Sequence, residues 1–220
     1  WSNIRKVDNK GFELSVKWNT RIGKSLYADL RANMTYNKNK YVYKDEPDYP
    51  YVWQKLTGKP LSCTIGYIAE GLFTDQEEID NSPSQSSLGS AATMPGDIKY
   101  RDVNGDNVIT YEDQVMISPY GKTPRLQYGI GLNLSYKKWD FGVFFNGSAK
   151  RTLMLNGLDP FEESSDTGPH NVMQWIADSH WSESNPDPDA NYPRLGLLSK
   201  QIAGNKHSST FWMRDGSFLR

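Results

Sequence analysis

Gly11-Phe12-Glu13-Leu14-Ser15-Val16-Lys17-Trp18-Asn19 decides how this chain is built. Phe12, Leu14, Val16 and Trp18 alternate with Glu13, Ser15, Lys17 and Asn19. Side chains on a strand point to opposite faces with period two, so this stretch carries one apolar and one polar face. Leu26–Asn37 repeats the pattern with Leu26, Ala28, Leu30, Ala32, Met34 and Tyr36. Leu126–Tyr136 does so again with Leu126, Tyr128, Ile130, Leu132, Leu134 and Tyr136, and Trp139, Phe141, Val143 and Phe145 make a fourth run. Such runs exceed the usual strand of roughly 5–6 residues. They match the roughly 9–11 residues that carry a tilted strand across a bilayer.

The chain has 220 residues with 25 basic and 26 acidic side chains, a balance that argues against the basic stripe of a nucleic-acid binder. Mean hydropathy is −0.70, and no stretch approaches the roughly 18 apolar residues of a transmembrane helix. Strand-built membrane proteins need no such stretch, because half of their strand residues face away from lipid. Cys63 is the only cysteine, which excludes an internal disulfide framework and a multi-cysteine zinc site and points to a small buried or loop residue. The chain opens at Trp1 rather than Met, and Phe211–Arg220 reads as a strand in progress. An interior piece of a longer protein is expected, with targeting elements outside it.

Connections alternate in length. Arg21–Ser25 and Lys137-Lys138 are tight turns, whereas residues 38–123 and 148–210 form connections far longer than the usual median of about 4–6. Short turns on one side and long loops on the other are the habit of outer-membrane barrels. A soluble sandwich or jelly roll explains the alternation equally well, but explains the loop parity, strand length and all-apolar faces less well. Inside the first long connection, Asp75–Asn81 reads as a helical turn capped by Thr74 or Asp75. Ser82–Gly96 reads as irregular. In the second, His170–Trp181 places Val172, Trp175, Ile176 and His180 at helical spacing.

Asp102-Val103-Asn104-Gly105-Asp106-Asn107-Val108-Ile109-Thr110-Tyr111-Glu112-Asp113 fits a twelve-residue calcium loop. Asp102, Asn104 and Asp106 take positions one, three and five, Val108 offers the carbonyl of position seven, and Asp113 closes the set at twelve. Asn107 stands where glycine is usual and is the next best residue at positive φ. The bland alternative is a plain acidic turn. The expected ion is structural, a stiffener of the loop. Catalysis finds little support: His170, His180 and His207 lack metal-ligand spacing, and there is no phosphate loop or nucleophile elbow. Glu77/Glu78 and Glu162/Glu163 read as solvated faces. Tyr41, Tyr43, Tyr49, Tyr51 and Trp53 form an aromatic run suited to sugar stacking, an interface, loop packing or a membrane girdle.

Gly96-Asp97-Ile98-Lys99-Tyr100-Arg101-Asp102-Val103-Asn104-Gly105-Asp106, followed by Lys122-Thr123-Pro124 and the Tyr128–Phe145 hairpin, resembles the C-terminal barrel region of SusC/RagA-like TonB-dependent transporters. Asn9-Lys10-Gly11-Phe12-Glu13, Gly71-Leu72-Phe73, Gln76-Glu77-Glu78-Ile79, Asn185-Pro186, Tyr192-Pro193-Arg194-Leu195 and Arg214–Arg220 match in the same order. The resemblance implies a plugged outer-membrane barrel of about 22 strands. It also implies energy-coupled import of glycans or peptides, a SusD-like surface lipoprotein as partner, and coupling to the TonB complex through regions outside this chain.

The expected fold is therefore all-β: antiparallel strands of a partial transmembrane β-barrel, with long extracellular loops that carry short helices. Residues 1–220 form part of one C-terminal barrel domain, with 38–123 and 148–210 as extracellular loops. The expected function is outer-membrane nutrient transport, not enzymatic, with the two loops as working surface. The alternative is a secreted, calcium-stabilised β module that binds carbohydrate. The two differ in whether Phe12, Leu14, Val16 and Trp18 meet lipid or a second sheet.

Overall fold

The computed structural model describes residues 4–157, 171–196 and 199–220. The alternating stretches become long strands: β1 (Arg5–Ile22) and β2 (Leu26–Lys44). Four short strands follow: β3 (Thr64–Gly66), β4 (Ala69–Leu72), β5 (Ile98–Tyr100) and β6 (Val115–Ser118). Next come the hairpin strands β7 (Leu126–Tyr136) and β8 (Trp139–Ala149). The chain finishes with β9 (Thr152–Met154), β10 (Met213–Asp215) and β11 (Phe218–Leu219). The principal sheet has the order β1-β2-β7-β8-β11, with every neighbouring pair antiparallel. It is open, with β1 and β11 at its edges.

The tight turns lie at one end of this sheet and the long connections at the other. Gly23 at φ 63 and Lys137 at φ 55 supply the left-handed residues that reverse the chain in so few positions. β2 runs on to Lys44, beyond the start at residue 38 expected for the first connection, because β1 pairs with it up to Arg5↔Lys44. The strand expected over Phe211–Arg220 is split. β10 pairs with β9 outside the principal sheet, and only Phe218–Leu219 return to β8.

Register carries the alternation across the sheet. Phe12, Tyr36, Leu126 and Ala149 form one row. Further rows on that face are Val16, Ala32, Ile130 and Phe145; Trp18, Leu30, Leu132 and Val143; and Ile22, Leu26, Tyr136 and Trp139. Intervening rows belong to the other face, among them Ser15, Asn33, Gly129 and Asn146, and Asn19, Asp29, Asn133 and Gly142.

The hydrophobic core lies in the connections, not in the sheet. Tyr67, Leu72, Leu88, Ile98, Tyr100 and Ile109 from the first connection pack with Ile176, Trp181, Tyr192, Ile202 and Trp212 from the second. The two long connections are thus one folded cap. Two short helices belong to it. α1 (Gln76–Asp80) is capped by the Asp75 carboxylate, which accepts the Glu78 N–H at 2.8 Å, as the sequence leads one to expect. α2 (Gln174–Ala177) is much shorter than the expected 170–181: His180 and Trp181 leave the helix, and His180 bridges to Tyr192. His170 and the pair Glu162/Glu163 lie outside the described residues.

Candidate functional site

Two features of this fold face outward with a definite chemistry: the apolar face of the sheet and the surface of the cap. On the sheet, Phe12, Leu14, Trp18 and Phe141 are each more than half exposed, at 53%, 51%, 53% and 60%. Phe12 and Tyr36 approach with ring centroids 5.9 Å apart at the loop-bearing end. Ten steps from Phe12 to Ile22 at about 3.3 Å span roughly 33 Å of strand. On the opposite face Arg31 Nε donates to Asp29 Oδ1 at 2.7 Å, and Asp29 is buried among the polar rows. Phe144 on that face lies across Gly129 and Gly131, whose missing Cβ atoms leave room for the ring.

The cap is held by a buried polar hub. Asp97 Oδ1 accepts Arg194 Nε at 2.6 Å and Asn205 Nδ2 at 2.8 Å, while its Oδ2 accepts the Met94 N–H at 2.9 Å. Arg194 also donates to the Gln201 carbonyl. Asn205 Oδ1 accepts the Ile98 N–H at 2.8 Å and its carbonyl accepts Trp212 Nε1 at 2.8 Å. Burial pushes the Asp97 carboxyl above its ordinary range, and the Arg194 guanidinium works against that rise. Gly96, at φ 84, meets the Trp181 ring so closely that a Cβ would sit 2.2 Å from Cε3. The Gly96-Asp97 and Arg194 motifs, far apart in sequence, are therefore two halves of one clasp. Nothing in the local spacing announced this. The charge signs and the motif order were the only available signals.

The Asp102–Asp113 loop winds tightly, with Gly105 at φ 79 and Asn107 at φ 64 in the place expected for a positive-φ residue. Asp102 accepts the Gly105 and Asn107 N–H groups at 2.6 and 2.8 Å. Asn104 and Asp106 bond to each other's end of the loop, and Asp106 Oδ1 accepts the Val108 N–H at 2.8 Å. Asp113, fully buried, turns Oδ1 to the Val103 N–H and Oδ2 to the Thr110 N–H, both at 2.8 Å. Among the described residues no three His, Cys, Asp or Glu side chains converge on a point that a metal ion could occupy. In this arrangement the carboxylates accept from the loop's own backbone N–H groups.

The aromatic run divides. Tyr51 and Trp53 stack at 4.6 Å, and Trp53 Nε1 donates to the Glu112 carbonyl at 2.8 Å, so these rings fasten the cap. Val52 between them is 81% exposed, and Tyr111 beside Glu112 is 69% exposed. His180 and His207 bond to the backbone carbonyls of Ala177 and Leu88. Cys63 is free and half-buried, and burial pushes its thiol up, away from reactivity.

Comparison with known proteins locates this arrangement. No family model matches the chain. TonB-dependent receptor P26 of Formosa agariphila is 25% identical over 228 residues, covering 99% of the chain and 22% of the receptor. TonB-dependent receptor P3 of the same organism is 23% identical over 230 residues, covering 99% and 21%. The chain thus spans about a fifth of the length of these curated relatives. Among solved structures, that of the RagAB peptide transporter superposes with a TM-score of 0.60 at 17% identity, over 99% of this chain and 22% of its own. The RagAB peptide importer in the open-open state gives 0.57 at 16% identity, over 98% and 21%. The likeness in structure shows a shared fold. Over nearly its whole length the chain is similar in sequence to TonB-dependent receptors, and it shares the fold of the matching part of the RagAB transporter.

Proposed function

We propose that this chain forms part of the wall and the outward-facing cap of an outer-membrane importer of the TonB-dependent type. The observation that carries the reading is the apolar face, continuous across β1, β2, β7 and β8 and exposed in the chain itself. An exposed apolar surface of this extent marks an interaction with another apolar phase. The polar opposite face suits a water-filled or plugged lumen. The five strands alone close no barrel, and the rest of the wall belongs to the remainder of the protein.

The cargo in this reading is a glycan or peptide nutrient, the lid a SusD-like lipoprotein docked on the cap, and the energy source the TonB complex acting through regions outside this chain. RagAB is a peptide transporter, and the shared fold lends support to the peptide arm of this proposal. No enzymatic step is assigned. The secreted carbohydrate-binding module would need a second sheet over Phe12, Leu14 and Trp18, which instead stand exposed. Calcium at the Asp102–Asp113 loop is a separate proposal. Its support is the oxygen spacing alone, and closure by Asp113 is the alternative the loop's geometry offers.

The test uses the full-length protein in lipid vesicles. Spin labels at Leu14 and Lys17 should report opposite environments, with the first accessible to oxygen dissolved in the bilayer and the second to a water-soluble relaxant. Equal access of the aqueous relaxant to both sites overturns the wall.

A further inference from the structure

The face that is apolar from Ile22 to Phe12 does not stay apolar. Continuing toward the cap in unbroken register, its next row is Lys10 opposite Lys38, and the row beyond is Asp8 opposite Lys40. The sole irregularity of this pairing lies further on, between Lys6 and Val7, so these residues keep the parity of Phe12 and Tyr36. A fourth cation follows the end of β8: Lys150, held at φ 58, places Nζ 4.9 Å from the centroid of the Tyr36 ring. Lys10 pairs with Asp8 at 3.3 Å and keeps 81% of its side chain exposed. Lys38, Lys40 and Lys150 are exposed. The four amines thus crowd within about two rows, or roughly 13 Å, of the Phe12–Tyr36 aromatic pair, with one carboxylate to offset them.

Like charges set side by side on a strand pair repel, so the local fold alone gives no reason for opposing Lys10 to Lys38. An anionic partner at that height gives one. We propose that Lys10, Lys38, Lys40 and Lys150 form a band that binds the phosphorylated headgroup of a lipid in the leaflet on the cap side. The aromatic pair beneath would lie where headgroup meets acyl chain. The inference rests on the reading of this face as a membrane wall. Flexible lysines on long stems suit diffuse phosphate charge, and their stems cover the upper edge of the apolar band. Each lysine near an anionic lipid surface contributes enough to strengthen binding roughly fivefold.

The experiment takes the full-length protein, reconstituted into phosphatidylcholine vesicles with either bis-phosphorylated lipid A or the same lipid stripped of phosphate. Lipid retained through detergent extraction and size exclusion is then quantified. The parent protein should retain the phosphorylated lipid in excess over the stripped one. K10Q/K38Q/K40Q/K150Q should lose that excess, with single variants each losing roughly fivefold in apparent affinity, while insertion into phosphatidylcholine vesicles is unchanged. Equal retention of the two lipids by the parent protein, or an undiminished excess in the quadruple variant, overturns the band and leaves the wall intact. Failure of the parent protein to insert into either vesicle overturns the wall and the band together. Should the quadruple variant fail to fold, the paired K38Q/K150Q carries the same comparison, and the charge-retaining K10R/K38R/K40R/K150R should keep the excess.

Discussion

Asp97 and Arg194 show what a single pair decides. The carboxylate is 6% and the guanidinium 11% exposed, and the pair spans both long connections. Removing one partner of a buried pair typically costs about 3–5 kcal/mol, since the other charge is left unmatched. Arg194→Met should therefore loosen the cap, seen as faster hydrogen exchange at Ile98 and Asn205, and D97N/R194M should be milder than Arg194→Met alone. The pH dependence has a defined sign. Burial raises the Asp97 pKa, so the folded chain holds this proton more readily than the unfolded one. Its contribution to stability is greatest at low pH and declines as pH rises from the ordinary aspartate value of about 3.9 through the raised one. Acidification should thus partly rescue Arg194→Met. Glu78 works in the opposite sense: the Lys99 amine bonded to it at 2.8 Å holds it below its ordinary range, and its contribution is lost as pH falls through that depressed value.

The Asp102–Asp113 loop poses a different residue-level question. Asp113→Ala strips the acceptor from the Val103 and Thr110 N–H groups and should destabilise the cap by about 1–3 kcal/mol even in chelator. Calcium binding as proposed adds a stabilisation by linkage that Asp106→Ala removes. Equal melting temperatures of the parent protein in calcium and in chelator would leave backbone closure as the loop's sole fastening.

At the scale of elements, the strands were legible and the cap was not. Alternation is a local signal, and Phe12, Leu14, Val16 and Trp18 announced the face they occupy without help from the rest of the chain. The cap depends on contacts such as Asn205 with Ile98, which span more than a hundred residues and leave no periodic trace. His170–Trp181 shows the same limit. Its helical spacing was real, but the Trp181 N–H goes to the Tyr192 carbonyl at 2.9 Å, and α2 ends early to make that bond. The Asp-rich loop was legible in its turn geometry, down to Asn107, but not in the direction its closing carboxylate takes. The sheet yields its own prediction. Val16 lies midway along the apolar rows and Lys17 beside it on the polar face. Val16→Arg should cost about 2–4 kcal/mol in the bilayer-inserted protein, and Lys17→Gln close to nothing, by denaturant titration in lipid.

At the scale of the whole molecule, the cap presents what a partner would meet. Val52 and Tyr111 project from segments joined by the Trp53–Glu112 hydrogen bond, apolar and well exposed on a rigid base. Rigid, exposed apolar anchors suit a specific interface. V52E/Y111S should weaken capture of the proposed surface lipoprotein at equal surface expression while leaving cap protection in hydrogen exchange unaltered. Undiminished capture and uptake would remove these two residues from the interface.

The division of the cap between two connections also sets a calendar for biogenesis. Ile98 and Tyr100 find their neighbours Ile202 and Trp212 only once the chain has passed down and up through β7 and β8. Until that hairpin is in place, the first connection holds only its own share of the core. Closure of such distant contacts is the slow step in forming a fold. On that order the cap is the last part of the fold to set, with the Asp97–Arg194 clasp as its latch.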